Sequence, residues 1–379
     1  MKITIIHSAL FKSFISLLLI PVLCSSVNGQ SKSNWYLFRD KKTGLVGYKD
    51  SNGNIKIPAK FDQLTGSLIF TDIIAVSEAR SSKSYYLLKN GKTVGSDSLY
   101  VYDNAYDNLT ENKIRFRDKK TDKVGFFNKK GKIVIPALYN DARSFHNGLA
   151  LVIYNGKREC LGGKTYNPKE PCEDWFWHGI SALIDTNNKI VADSINIDEI
   201  DNLNWYTFKI TNSKPDTTLY TIFKAKDSGF CSFLNYKKEF NYWFYKTYLT
   251  DPAKNIATHC YTETTVEDKP NGKFRAYYLK AAFLKQYQNL LIKKMQTIKA
   301  GTTETNIFNE ELNNYIYTDK YFTRFYDSNG QSHKHPCFNV VTTYYSKARK
   351  FDYQDQFIFI RTDSGYMLIE IALNVGLNN

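Results

Sequence analysis

The chain has 379 residues, with 51 Lys and Arg against 37 Asp and Glu, for a formal net charge of +14. An apolar fraction of 42% with 28 Tyr, 25 Phe and only 3 Met excludes a disordered or collagen-like chain and suits a strand-rich globular protein of about two domains. The basic residues are spread without a long run and no nucleic-acid module is present, so the charge reads first as solvated surface, with an anionic ligand left open.

Residues 1–29 have the pattern of a cleaved secretory signal peptide. Lys2 and Lys12 flank Phe14 to Cys24, an apolar run too short to span a bilayer, and Val27-Asn28-Gly29 places a cut before Gln30. Acylation of Cys24 is the alternative, disfavoured by the bulk of Leu23 before it. Removal of the segment takes away two lysines and no acid, leaving +12. No later stretch is long and apolar enough to span a membrane. The expectation is an exported protein of the periplasm, the cell surface or the medium.

The next feature is a repeat. Phe38 to Asp62 reads FRDKKTGLVGYKDSNGNIKIPAKFD, and Phe116 to Asn140 reads FRDKKTDKVGFFNKKGKIVIPALYN, 78 positions later. Each copy predicts a β-hairpin. Val46 to Lys49 forms a strand, Asp50-Ser51-Asn52-Gly53 a tight turn, and Asn54 to Ile57 the return, which Pro58 should stop. Tyr48 and Phe126 hold one register and should be internal. Arg39 and Arg117, just outside the strand, should lie on the surface. The second copy continues into Phe145-His146-Asn147-Gly148 and Leu149 to Val152, a turn and a further strand. Worn copies are visible at Tyr85 to Val94 and Ser181 to Val191. Turn centres Gly53, Gly91 and Gly131 lie 38 and 40 residues apart, whereas Asn188 follows only after 57.

A glycine-aromatic pair, a turn glycine, Ile-Pro-Ala and then Phe-x-x-Gly-Leu-Ala-Leu-Val resembles the WG repeat of bacterial proteins, best in residues 124–152 and well in 46–62. The name-giving Trp is replaced by Val46 and Val124, so the resemblance implies that Tyr48 and Phe126 take the aromatic role. It implies a repeat architecture and brings no catalytic residues with it.

The excess spacing before Asn188 marks an insertion at about residues 154–178 carrying Cys160 and Cys172 amid loop-forming Gly and Pro. In an exported chain these two should pair. Trp175, Phe176 and Trp177 follow, either as a platform for a sugar or peptide or as a plug at the end of the repeat stack. Trp205 to Ile210 and Thr218 to Phe223 should form one more strand pair. Residues 30–225 thus read as a repeat domain of tandem antiparallel β-hairpins, and residues 226–379 as an α+β domain. In the latter, Asp227-Ser228 should cap a helix reaching Leu249, and a second helix should run from Phe274 to Ala300. Four strands follow as an antiparallel meander, an order similar to an NTF2-like cone fold.

The chemistry-bearing residues are few. His333, His335 and Cys337 alternate along an extended segment and are weak metal candidates, short of a four-ligand set. His259 beside Cys260 suggests a nucleophile pair, but sequence neighbours point apart. Of Cys231, Cys260 and Cys337, Cys231 and Cys260 are the more sensible disulfide partners. The Asp50 turn imitates a calcium loop without its sixth-position glycine or downstream glutamate, and reads as a turn. No cofactor is implied. The expected function is an exported, non-enzymatic binding or scaffold protein presenting a repeat-built β surface to a protein or cell-envelope polymer. The alternative is a hydrolase or transferase whose site lies in the α+β domain.

Overall fold

The computed structural model describes residues 33–102, 105–268, 273–348 and 350–376, so the expected signal peptide lies outside the described residues. Five antiparallel sheets succeed one another along the first two thirds of the chain. The first contains β1 (Trp35–Arg39), β2 (Val46–Lys49), β3 (Ile55–Phe61) and β4 (Ile69–Phe70) in the order β3-β2-β1-β4. The second contains β5 (Ile73–Ser77), β6 (Ser84–Leu88) and β7 (Thr93–Val94). A two-stranded ribbon of β8 (Val101–Tyr102) and β9 (Ala105–Tyr106) leads to the third, made of β10 (Lys113–Asp118), β11 (Lys123–Asn128) and β12 (Ile133–Tyr139). The fourth is β13 (Asp141–Ala142), β14 (Leu149–Cys160), β15 (Trp175–Asp185) and β16 (Ile190–Asp193). The fifth is β17 (Leu203–Thr211), β18 (Tyr220–Lys224) and β19 (Phe230–Asn235), in the order β17-β19-β18.

Strand alternation lets one sheet serve two neighbours. Ile74 and Val76 of β5 join Val46, Tyr48 and Phe61 of the first sheet, while Ile73 and Ala75 join Ile114 and Phe116 of the third. Ala150 and Val152 of β14 meet Val124 and Phe126, and Leu149 and Leu151 meet Leu203 and Phe233 of the fifth. No sheet could bury both faces alone, so stability comes from stacking. Tyr48 and Phe126 are buried as their shared register requires.

The repeat signature has a geometric cause. Val124 pairs with Tyr139 and Phe126 with Ile135, so Pro136, Ala137 and Leu138 all oppose Gly125. Such a bulge folds the strand over its partner. A Cβ on Gly125 would lie 2.6 Å from the Ile135 carbonyl oxygen, 2.8 Å from Ala137 N and 2.8 Å from Phe116. Gly47 meets Ile57, Ala59 and Phe38 at the same distances. Pro58 and Pro136 therefore do not end their strands. Both lie on an edge strand, where a missing N–H breaks no ladder. The turn also resolves: Asp50 Oδ1 accepts from Asn52 N and Asn54 N, and Asn128 Oδ1 does the same for Lys130 and Lys132. An amide replaces the carboxylate in the same role, so the acid is a turn device.

The last third is α+β. α1 (Tyr236–Lys246) and α2 (Pro252–Thr258) precede β20 (Cys260–Asp268) and β21 (Lys273–Leu279). α3 (Lys280–Lys299) is followed by β22 (Glu304–Glu310), β23 (Cys337–Tyr345), β24 (Phe351–Thr362) and β25 (Gly365–Val375). The sheet order is β21-β20-β25-β24-β23-β22, antiparallel except for β20 beside β25. Phe240, Phe244, Phe283 and Phe338, all fully buried, fill the space between helices and sheet. Among the described residues no helix is long and apolar enough to cross a membrane.

Three expected elements differ. β17 and β18 do not pair with each other, because β19 lies between them. The helix expected from Asp227 begins only at Tyr236, capped by Asn235, whose side chain accepts from Lys238 N at 3.0 Å. Its first turns are strand because Phe230, Ser232 and Leu234 alternate with Cys231 and Phe233, and this alternation buries the latter pair in the repeat stack. The helix expected from Phe274 starts at Lys280, since Phe274 to Leu279 pair along β20.

Candidate binding site

β14 and β15 are far longer than their counterparts. They pair from Leu149–Asp185 to Tyr154–Ile180, break, and resume from Lys157–His178 to Cys160–Trp175. At the break the two chains touch: a Cβ on Gly179 would lie 2.7 Å from Gly156 Cα. Asn140 accepts from Gly156 N at 2.8 Å and donates to its carbonyl at 3.1 Å, satisfying the backbone groups freed there. Beyond the break the insertion is a two-stranded ribbon, closed by the Cys160–Cys172 disulfide, with Cα atoms 6.0 Å apart. The expected pairing of these two cysteines is formed.

Register decides what the ribbon displays. Arg158 opposes Trp177 and Cys160 opposes Trp175, so these side chains share one face. The Arg158 guanidinium sits 4.3 Å from the Trp175 ring, 5.1 Å from Trp177 and 5.2 Å from Tyr166. It also pairs with Asp122, in the β10–β11 turn, tying the ribbon to the third sheet. Phe176 points to the other face. Trp175 is 37% and Phe176 45% exposed. The ribbon springs from the fourth sheet, and a fifth is stacked beyond it.

The other residues singled out in the sequence do not converge. The His333 ring lies 4.7 Å from that of His146, whereas His335 Nδ1 is 2.9 Å from the Arg361 carbonyl oxygen. Cys337 is buried in β23, and burial pushes its thiol well up. Among the described residues no three His, Cys, Asp or Glu are grouped to hold a metal. His259 Nδ1 lies 3.1 Å from the Tyr366 carbonyl oxygen, against the Trp243 ring. Cys260 Sγ faces Thr264 Oγ1 at 3.4 Å, and burial raises its thiol too. The Cys231–Cys260 disulfide is not formed. Cys231 belongs to the core of the fourth and fifth sheets and Cys260 to the helix–sheet core, and both are free. Arg117 is no free surface residue, since it reaches Asp122, Asp141 and the Asn140 carbonyl oxygen. Arg39 donates to the Gly44 carbonyl oxygen at 3.2 Å.

Sequence reading missed the seam between the repeats and the excursion joining β22 to β23. There Asn329 donates to the Leu109 carbonyl oxygen at 3.3 Å and Lys334 lies 4.4 Å over the Tyr206 ring. His146 is packed against both His333 and Trp205. Burial, then the charges of His333, Arg115 and Arg143, push its imidazole down to about 4. Arg158 was also missed, although its register opposite Trp177 follows once the disulfide aligns the two arms.

The fold and the ribbon together define a tandem β-repeat protein with an α+β module attached. Residues 47–66 and 125–157 match the family model of the WG containing repeat, which makes this a WG repeat-containing chain. The first match opens on Gly47 and the second on Gly125, the two glycines under the bulges. No curated protein matches the chain.

Proposed function

We propose that the chain is an exported, non-enzymatic binding or scaffold protein whose repeat-built β surface holds a protein or a cell-envelope polymer. The observation that carries this reading is the ribbon. A disulfide and the Asp122–Arg158 pair hold Trp175 and Phe176 outward in fixed geometry, and exposed aromatics on a rigid support are binding anchors. The α+β module is held by a core of buried side chains that includes Phe240, Phe244, Phe283 and Phe338. Its helices-first order and the parallel β20–β25 pair favour the likeness to an NTF2-like cone.

The test is retention of the full-length oxidised protein on insoluble cell-wall polysaccharide and on immobilised envelope proteins. Trp175→Ala with Phe176→Ala should abolish retention while the melting temperature stays within a few degrees. Equal retention by the double variant refutes the ribbon as the anchor. The hydrolase alternative has one observation in its favour: burial and a hydrogen bond with Asp319 raise the Glu263 carboxyl. Turnover of a glycan or ester substrate that Glu263→Gln eliminates would establish it instead.

A further inference from the structure

β18 is the edge strand of the fifth sheet, and its free side is a groove with a volume of about 340 Å³. The hydrogen-bond parity is fixed by two ladder bonds, Asn235 N to the Leu219 carbonyl oxygen and Ala225 N to the Gly229 carbonyl oxygen. Leu219, Thr221, Phe223 and Ala225 therefore face β19, and the backbone groups of Tyr220, Ile222 and Lys224 face the groove. The Tyr220 carbonyl oxygen accepts from Lys238 Nζ at 2.9 Å, and Lys226 N, past the strand's end, donates to Val191 at 2.7 Å. Between these two points, among the described residues, the outward backbone groups of Ile222 and Lys224 have no strand partner.

The groove is also charged. Lys214, Lys224 and Lys238 line it, and Glu199 is the one acid among its lining residues. Lys238 is held by the carbonyl oxygens of Thr217 and Tyr220, which orient an ammonium without neutralising it. Elsewhere on the fifth sheet's border lysines do find acids: Lys226 pairs with Asp193 and Lys189 with Asp227. Among the described residues these three lysines have no ion-pair partner, and lysines placed so along a strand edge are complementary to one kind of occupant.

We propose that this groove binds an extended acidic peptide of a partner protein, which adds to the sheet as a strand beside β18 with its carboxylates on Lys214, Lys224 and Lys238. Ile222 N–H and C=O supply the central pair of ladder bonds and the lysines set the sequence preference. The site is separate from the aromatic ribbon, so either can fail without the other.

The experiment measures fluorescence anisotropy of a labelled peptide alternating Glu and Thr, titrated with the full-length oxidised protein at low salt. Binding should weaken by about tenfold for each of Lys214→Glu and Lys224→Glu, and should fall with added salt. Ile222→Pro removes the outward N–H without touching the β19 ladder, so it should abolish binding while the melting temperature holds. A peptide N-methylated at every amide should not bind. Equal binding of the methylated peptide, or of a Lys-Thr control, overturns the proposal and leaves only a basic surface. So does unchanged affinity in Lys214→Glu, which lies on an exposed loop and keeps the test valid if the strand variants fail to fold.

Discussion

Acidification should loosen the seam at His146. Its folded imidazole lies at about 4 against an ordinary 6.5, because burial and then the charges of His333, Arg115 and Arg143 oppose a second proton-borne charge there. Above pH 6.5 both folded and unfolded chains carry the neutral ring, and this residue adds no pH dependence. Between 6.5 and about 4 the unfolded chain takes up the proton and the folded chain does not, so stability falls with pH. From pH 7 to pH 5 the loss is about 2 kcal/mol, and it levels off at about 3 kcal/mol below pH 4. Urea denaturation at both pH values, on the wild type and on His146→Gln, isolates this share, since all other groups titrate in both. The variant should lose about 2 kcal/mol less over that interval. His146 N still bonds the Leu149 carbonyl oxygen in the variant, so the turn survives. Identical pH dependence in the two proteins would refute the assignment of the buried ring.

Other outcomes follow from the stack and its ribbon. Phe126→Ala should cost about 3–5 kcal/mol in a chemical-denaturation midpoint, because a fully packed ring is lost between the third and fourth sheets. Arg39→Ala should stay within about 0.5 kcal/mol, whereas Arg117→Ala should cost clearly more through its contacts to Asp122, Asp141 and Asn140. Non-reducing peptide mapping should recover Cys160 linked to Cys172, and reduction should cost about 3 kcal/mol of loop-closure stabilisation in the melt of the ribbon. Gly125→Ala should destabilise by at least about 1–3 kcal/mol, since its Cβ would strike backbone. Intact-mass measurement of the protein from its native host should give a chain starting at Gln30 with no acyl group on Cys24.

The repeat hairpins were legible because their information is local. A turn glycine, an Asx residue ahead of it and a two-residue alternation each act within one unit, and two copies average out the noise. Pro58 was misread for a related reason: its effect depends on whether a neighbour lies beyond it, and edge position is a property of the sheet. β19 shows the same limit more sharply. Phe230 to Asn235 alternates well, yet it follows Asp227-Ser228-Gly229 and runs straight into a helix, so a cap for α1 was placed eight residues early. Only the vacancy between β17 and β18, which no local signal reports, selects the strand. The functional surface divides in the same way. The disulfide and the aromatics of the ribbon lie within one short stretch and were visible. The open edge of β18 and the pairing of His146 with His333 join segments brought together by stacking, and each depends on what the chain leaves uncovered or covers. A repeat chain writes its units into sequence and its surfaces into the order of stacking, so binding edges should be sought where an insertion or a strand exchange interrupts that order.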